Sequence, residues 1–194
     1  MADIATLPQR KARADGQRNR ALILEAAKRV LTDKGAGASM DEIAQAAGVG
    51  NGTFYRHFPT RATLVAEVCR EDTRDLIGAA RTLAFTHAPL DALGAWLETF
   101  IDYIATKQII AEAASALVSL SSDLSGPSGA DVKAALRMLV ERAVAEGCIK
   151  ADVEPLDLMR AIAGVATIGP QTEWEHNARR LVPILVAGLS ARVM

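Results

Sequence analysis

The sixteen residues from Ile43 to Phe58, IAQAAGVGNGTFYRHF, constrain the fold more than any other stretch of the chain. Ala44 is small enough for a second helix to cross it closely. Gly48 can turn the chain with positive φ at little cost, and Val49 can plug the space beneath that turn. Phe54 and Phe58, four residues apart, supply the inner face of a second short helix, with Ile43 and Ala47 completing a small core. A small residue, a turn glycine and an apolar plug at this spacing describe a helix-turn-helix. Asn51-Gly52 alone signals a hairpin turn, and Asn51-Gly52-Thr53 matches the N-glycosylation acceptor pattern. The helical patterns on both sides outweigh the first reading, and the absence of a secretory pattern outweighs the second.

Residues 1–16 read as a flexible basic arm. From Gln17 to Lys34 the apolar set Ile23, Ala26, Ala27, Val30 and Leu31 follows an amphipathic helical stripe. Gly35-Ala36-Gly37 ends that helix, and Ser39 with Glu42 forms a capping box for the next. Gly48 stops it. Thr60 caps a long helix running toward Ala80, and HAPLDALGAWLETFIDYIATKQ gives another, with Leu93, Leu97, Phe100, Ile101 and Ile104 on one face. IIAEAASALVSL continues it, and SSDLSGPSGA reads as a linker. Three further helices follow: one stopped by Gly147, one at about 155–168 with Pro155 in its first turn, and one at about 174–190 containing Pro183. No strand pattern is present. The chain reads as all-α, with a three-helix helix-turn-helix head at 17–61 and a C-terminal helical bundle body at 62–194.

Net charge over the 194 residues is −1, but its distribution is uneven. Residues 1–61 hold ten Lys/Arg against six Asp/Glu, a net +4, while residues 62–194 hold twelve against seventeen, a net −5. A basic N-terminal region on an acidic body fits either an anion-binding head or a solvated basic tail. No apolar run approaches the ~20 residues of a membrane-spanning helix, and the N-terminus lacks a signal-peptide apolar region. Cys69 and Cys148, the two cysteines, have no metal-ligand neighbours at useful spacing. The expectation is a cytoplasmic protein with reduced thiols, no metal, no cofactor and no membrane association. His57, His87 and His176 have no evident catalytic partners, and the motifs of nucleotide-binding, zinc-hydrolase and serine-hydrolase sites are missing. An enzyme is not expected.

With Phe54 and Phe58 inward, Asn51, Gly52, Thr53, Tyr55, Arg56 and His57 occupy the outer or leading face of the second helix. Asn51 can pair bidentately with a base edge, and Thr53 can offer its hydroxyl or methyl. Gly52 lets backbone approach a groove wall. Tyr55 and His57 can donate to phosphates, as can Ser39 and Arg61. Arg18 and Arg20 carry the basic excess toward the same partner.

MDEIAQAAGVGNGTFYRHFPTRATLVAEV resembles the DNA-binding signature of the TetR (tetracycline repressor) family, over about residues 17–70. The resemblance implies a DNA-binding head and a body that dimerises and holds a ligand. It assigns phosphate contacts to Ser39, Tyr55, His57 and Arg61, and base or groove contacts to Asn51, Gly52 and Thr53. Gly50 departs from the family's usual Ser or Thr, removing a cap hydroxyl at a cost of a few tenths of a kcal/mol. EGCIKADVEPLDLMRAIAGV is similar to the family's segment leading into dimerisation. By analogy Leu158, Ile162, Val165, Leu181, Ile184, Leu185 and Leu189 form a homodimer interface. Trp96, Phe100, Tyr103, Glu112, Met138 and Arg142, together with Phe85, are candidate contacts for an unknown small-molecule effector. The resulting expectation is a repressor bound to a palindromic double-stranded operator and released by ligand. A helical protein-interaction module, or a regulator without an effector, is the alternative.

Overall fold

A computed structural model describes residues 7–114, 127–149, 153–167 and 173–190. Their helices are α1 (Leu7–Lys34), α2 (Met40–Ala46), α3 (Asn51–His57), α4 (Arg61–Thr86), α5 (Pro89–Ala114), α6 (Pro127–Ala145), α7 (Pro155–Val165) and α8 (Trp174–Leu189), with a 3-10 turn at Gly35–Gly37. Among the described residues there is no strand, and one isolated antiparallel bridge joins Ile149 to Ser190.

Helix α4 runs on to Thr86, past Ala80, and α7 stops at Val165, short of 168; two boundaries differ more from the sequence expectation. Helix α1 begins at Leu7, so residues 7–16 are helical rather than an irregular arm. Gln9, Arg10, Lys11, Ala12, Arg13 and Ala14 are strong helix formers, and the roughly 1 kcal/mol penalty at Gly16 does not interrupt them. The last four residues of the expected SSDLSGPSGA linker are also helical, because Pro127 opens α6 as Pro89 and Pro155 open α5 and α7. A proline at the first position has its φ preset and lacks only an N–H that would go unpaired there. Residues 121–126 of that linker lie outside the described residues.

The chain forms two compact units, one within Met1–Arg70 and Ile109–Leu117, the other within Glu71–Gln108 and Val118–Met194. Each has its own core. In the first, Ile23, Ala27 and Leu31 of α1 meet Ile43 and Ala44 of α2, Phe54 of α3 and Leu64 of α4, all buried. The second is organised around α5, whose Leu93, Trp96, Leu97, Phe100, Ile101 and Ile104 are fully buried. Leu136 and Leu139 of α6, Met159 and Ile162 of α7 and Ala178 of α8 close that core. The Trp96 indole N–H donates to the Leu76 carbonyl at 3.0 Å, so burying its polar edge leaves no donor unpaired.

Candidate nucleic-acid interface

The head is shaped by its caps. Ser39 Oγ accepts from the Glu42 amide at 3.1 Å, and Glu42 Oε2 accepts from the Ser39 amide at 2.9 Å, the reciprocal capping box that the residue order predicts. Glu42 also accepts from the Lys34 ammonium at 2.7 Å, tying the end of α1 to the start of α2. That ammonium, with the Ser39 donors, holds the Glu42 carboxyl at a pKa of about 2. At the other end of α2, Gly48 has φ +67; its amide donates to Gln45 and the Val49 amide to Ala44, at 3.0 and 3.1 Å. This is a Schellman stop, and it delivers Gly50 in extended geometry as the N-cap of α3 with no side-chain cap bond.

Phe54 and Phe58 then point into the head's core, and the remaining α3 side chains lie outside it. Asn51, Gly52, Tyr55 and Arg56 are exposed, while Thr53 and His57 are half-buried. A Cβ at Gly52 would meet only the Arg56 guanidinium, at 4.0 Å, so no packing inside the chain demands a glycine there. Arg56 Nε donates back to the Gly52 carbonyl at 2.9 Å, lying along its own helix.

Of the remaining predicted contacts, Arg61, Arg20 and Ser39 have partners within the head. Arg61 is half-buried and donates to the carbonyls of Ala38 and of Gly35, the latter at 3.3 Å, clamping the start of α4 to the turn before α2. Arg20 pairs with Glu67 at 2.9 Å and lies over the Phe58 ring, 5.4 Å from its centroid. Arg18 is exposed on α1. Ser39 is exposed, its oxygen accepting from the Glu42 amide.

Asp41 carries no signature in the sequence that marks it as part of the interface. The Asp41 Oδ1 atom accepts from the Asn51 amide nitrogen at 3.4 Å and from the Tyr55 hydroxyl at 3.2 Å. Desolvation, and then the hydrogen bond to Asp41, push the Tyr55 phenol above its ordinary pKa. Asp41 lies ten residues from Asn51 and fourteen from Tyr55 across the turn, a separation at which no local pattern marks a pair.

In the body, Trp96, Phe100 and Tyr103 are core residues, with ring centroids 5.6 and 6.1 Å apart in a stacked series. Met138 is 36% exposed and lines two grooves beside α6. Arg142 donates to the His87 carbonyl at 3.0 Å and to Glu146 at 2.9 Å. Phe85, at the end of α4, is 91% exposed. The side chain of Glu112 lies outside the described residues. Of the residues expected at a dimer interface, Leu158 and Ile162 are buried in the body's own core. Val165, Leu181, Leu185 and Leu189 are half-buried, and Ile184 is 65% exposed. Among the described residues no helix is long and apolar enough to cross a membrane, and no cluster of His, Cys, Asp or Glu could hold a metal ion.

Residues 23–68 match the family described as bacterial regulatory proteins, tetR family, and residues 88–191 match the C-terminal domain of SbtR-like transcriptional regulators. The crystal structure of the TetR transcriptional regulator SCO0520 from Streptomyces coelicolor is similar over 90% of this chain and 99% of its own, at 36% identity and a TM-score of 0.77. Two regulators of Mycolicibacterium smegmatis are similar over shorter stretches. The HTH-type transcriptional activator FasR is 32% identical over 118 residues, 54% of each chain. The HTH-type transcriptional repressor LfrR is 42% identical over 77 residues, 39% of this chain and 40% of its own. The matched stretches thus span about half the length of these two relatives or less.

Proposed function

The chain belongs to the TetR family of bacterial regulatory proteins, and from that premise we propose that it is a homodimeric repressor that holds a palindromic operator and leaves it when a small molecule binds the body. The observation that carries this reading is α3 itself. Its two phenylalanines are buried in the head, while Asn51, Gly52, Tyr55 and Arg56 are exposed together. A seven-residue helix so presented reads only a few base pairs, and two copies on two half-sites supply the affinity and register that one lacks.

Helix α8 favours a second copy as partner. Ile184, Ala187 and Gly188 are exposed beside half-buried Leu181, Leu185 and Leu189. An effector site is favoured by grooves of about 380 and 540 Å³ on either side of Met138, lined by Ile77, Arg81 and Asp131 on one side and Arg137, Glu141 and Leu156 on the other. These are open grooves with mixed apolar and charged walls, and their volume is large enough for a drug-sized molecule. A ligand that prefers one arrangement of the body's helices over another lowers operator affinity by that differential preference. Repression is proposed over activation because operator occupancy alone can block a promoter, although relatives of both kinds are named.

Footprinting on the promoter of the chain's own gene tests the proposal. The expected result is a pair of protected half-sites about one helical turn, or a multiple of it, apart. Binding weakens steeply with salt and is lost when the effector is added. A chain that acts only as a helical interaction module gives no sequence-dependent protection at moderate salt, and that result overturns the regulator reading.

A further inference from the structure

The DNA-facing surface of the head contains a carboxylate, which is unexpected because an anion there repels phosphate. We infer that Asp41 is a specificity-determining residue that orients the Asn51 carboxamide to read adenine in the major groove. The inference rests on the DNA-binding reading and names the base that one of its contacts recognises.

An ionised carboxylate only accepts, so the Asn51 group facing Asp41 Oδ1 at 3.4 Å is the NH₂ and not the carbonyl. When Asn51 gives Asp41 the N–H trans to its carbonyl, the cis N–H and the carbonyl oxygen remain, side by side at the exposed start of α3. Adenine presents the complementary pair on its major-groove edge, the N7 acceptor and the N6 amino donor. Guanine presents two acceptors, N7 and O6, which would require both Asn51 N–H groups. One of those is committed to Asp41, so the arrangement discriminates against guanine. The single hydroxyl proton of Tyr55 goes to the same Asp41 oxygen at 3.2 Å. Tyr55 is therefore a brace that holds the carboxylate, and it has no proton left for a phosphate while that bond lasts.

Adenine analogues in the operator test this directly. Duplexes enriched by the wild-type chain from a randomised pool are remade with single adenines replaced by 7-deazaadenine, which pairs normally but lacks the N7 acceptor. Binding is measured by fluorescence anisotropy. The expected result is one adenine per half-site whose replacement weakens wild-type binding about tenfold. The same replacement costs Asn51→Ala nothing and Asp41→Ala about twofold or less. Asp41→Asn, whose amide oxygen can still accept from Asn51, retains the full wild-type penalty. An Asp41→Ala protein that binds every duplex more tightly but keeps the tenfold penalty overturns the inference, since Asp41 is then only a repulsive charge. Enriched duplexes with no adenine sensitive to Asn51 overturn it too. A pool that yields no enriched sequence overturns the DNA-binding reading and this inference together. The wild-type arm needs no variant to fold, and circular dichroism melting compares the variants.

Discussion

Glu42 and Asp41 are adjacent carboxylates with different tasks. Glu42 faces the Lys34 ammonium and the Ser39 amide, and its folded pKa of about 2 lies below the ordinary value of 4.5. Between those values the unfolded chain binds more protons than the folded one. The stabilisation is therefore complete above about pH 4.5 and is lost as pH falls toward 2. Urea midpoints of the wild type and Glu42→Gln should differ at pH 7 and converge as pH approaches 2. A difference that does not depend on pH would mean the charge of Glu42 contributes nothing. Its capping role was legible in the sequence because Ser-x-x-Glu is a local signature. The pairing of Asp41 with Asn51 and Tyr55 was not, because it exists only once α2 and α3 have crossed.

Among elements, the two short helices of the head are defined at their ends rather than by their interiors. With seven residues each, α2 and α3 are too short to hold themselves in water, so caps and packing must do so. Gly48 and Gly50 separate these contributions. At Gly48, with φ +67, any Cβ is strained, and Gly48→Ala should cost about 1–2 kcal/mol in urea unfolding. At Gly50, φ is −69 and a Cβ meets nothing within 4 Å. Gly50→Ser should stabilise the head by a few tenths of a kcal/mol through the missing cap bond. Equal destabilisation by both substitutions would contradict the assigned cap positions. The same Schellman stop recurs at Gly147, where the Cys148 amide reaches Ala143 at 2.8 Å, and both stops were readable from the sequence. The start of α1 was not readable, because a basic stretch of good helix formers resembles a solvated arm until its helix is seen.

For the whole molecule, the two units have separate cores. In the body the largest buried group is Trp96, stacked on Phe100 and hydrogen-bonded to Leu76. Trp96→Ala should destabilise the body by about 3–5 kcal/mol, read as a lower urea midpoint by circular dichroism. A loss below about 1 kcal/mol, with tighter binding of a small apolar compound, would instead assign Trp96 to a ligand site. The all-helical class, the helix-turn-helix, the inward phenylalanines and the caps could be read from the residue order, because each depends on residues within a few positions of one another. That order also established that α7 and α8 carry apolar stripes. Packing chose what covers them: the body's own core takes Leu158 and Ile162, whereas Ile184 remains exposed. It likewise made Arg61 a clamp on the turn at Gly35 and Ala38, and placed Asp41 beside Asn51. The physical reason is the same in each case. Periodicity identifies a face and chemistry identifies a donor, but the partner comes from a distant part of the chain and is chosen by packing.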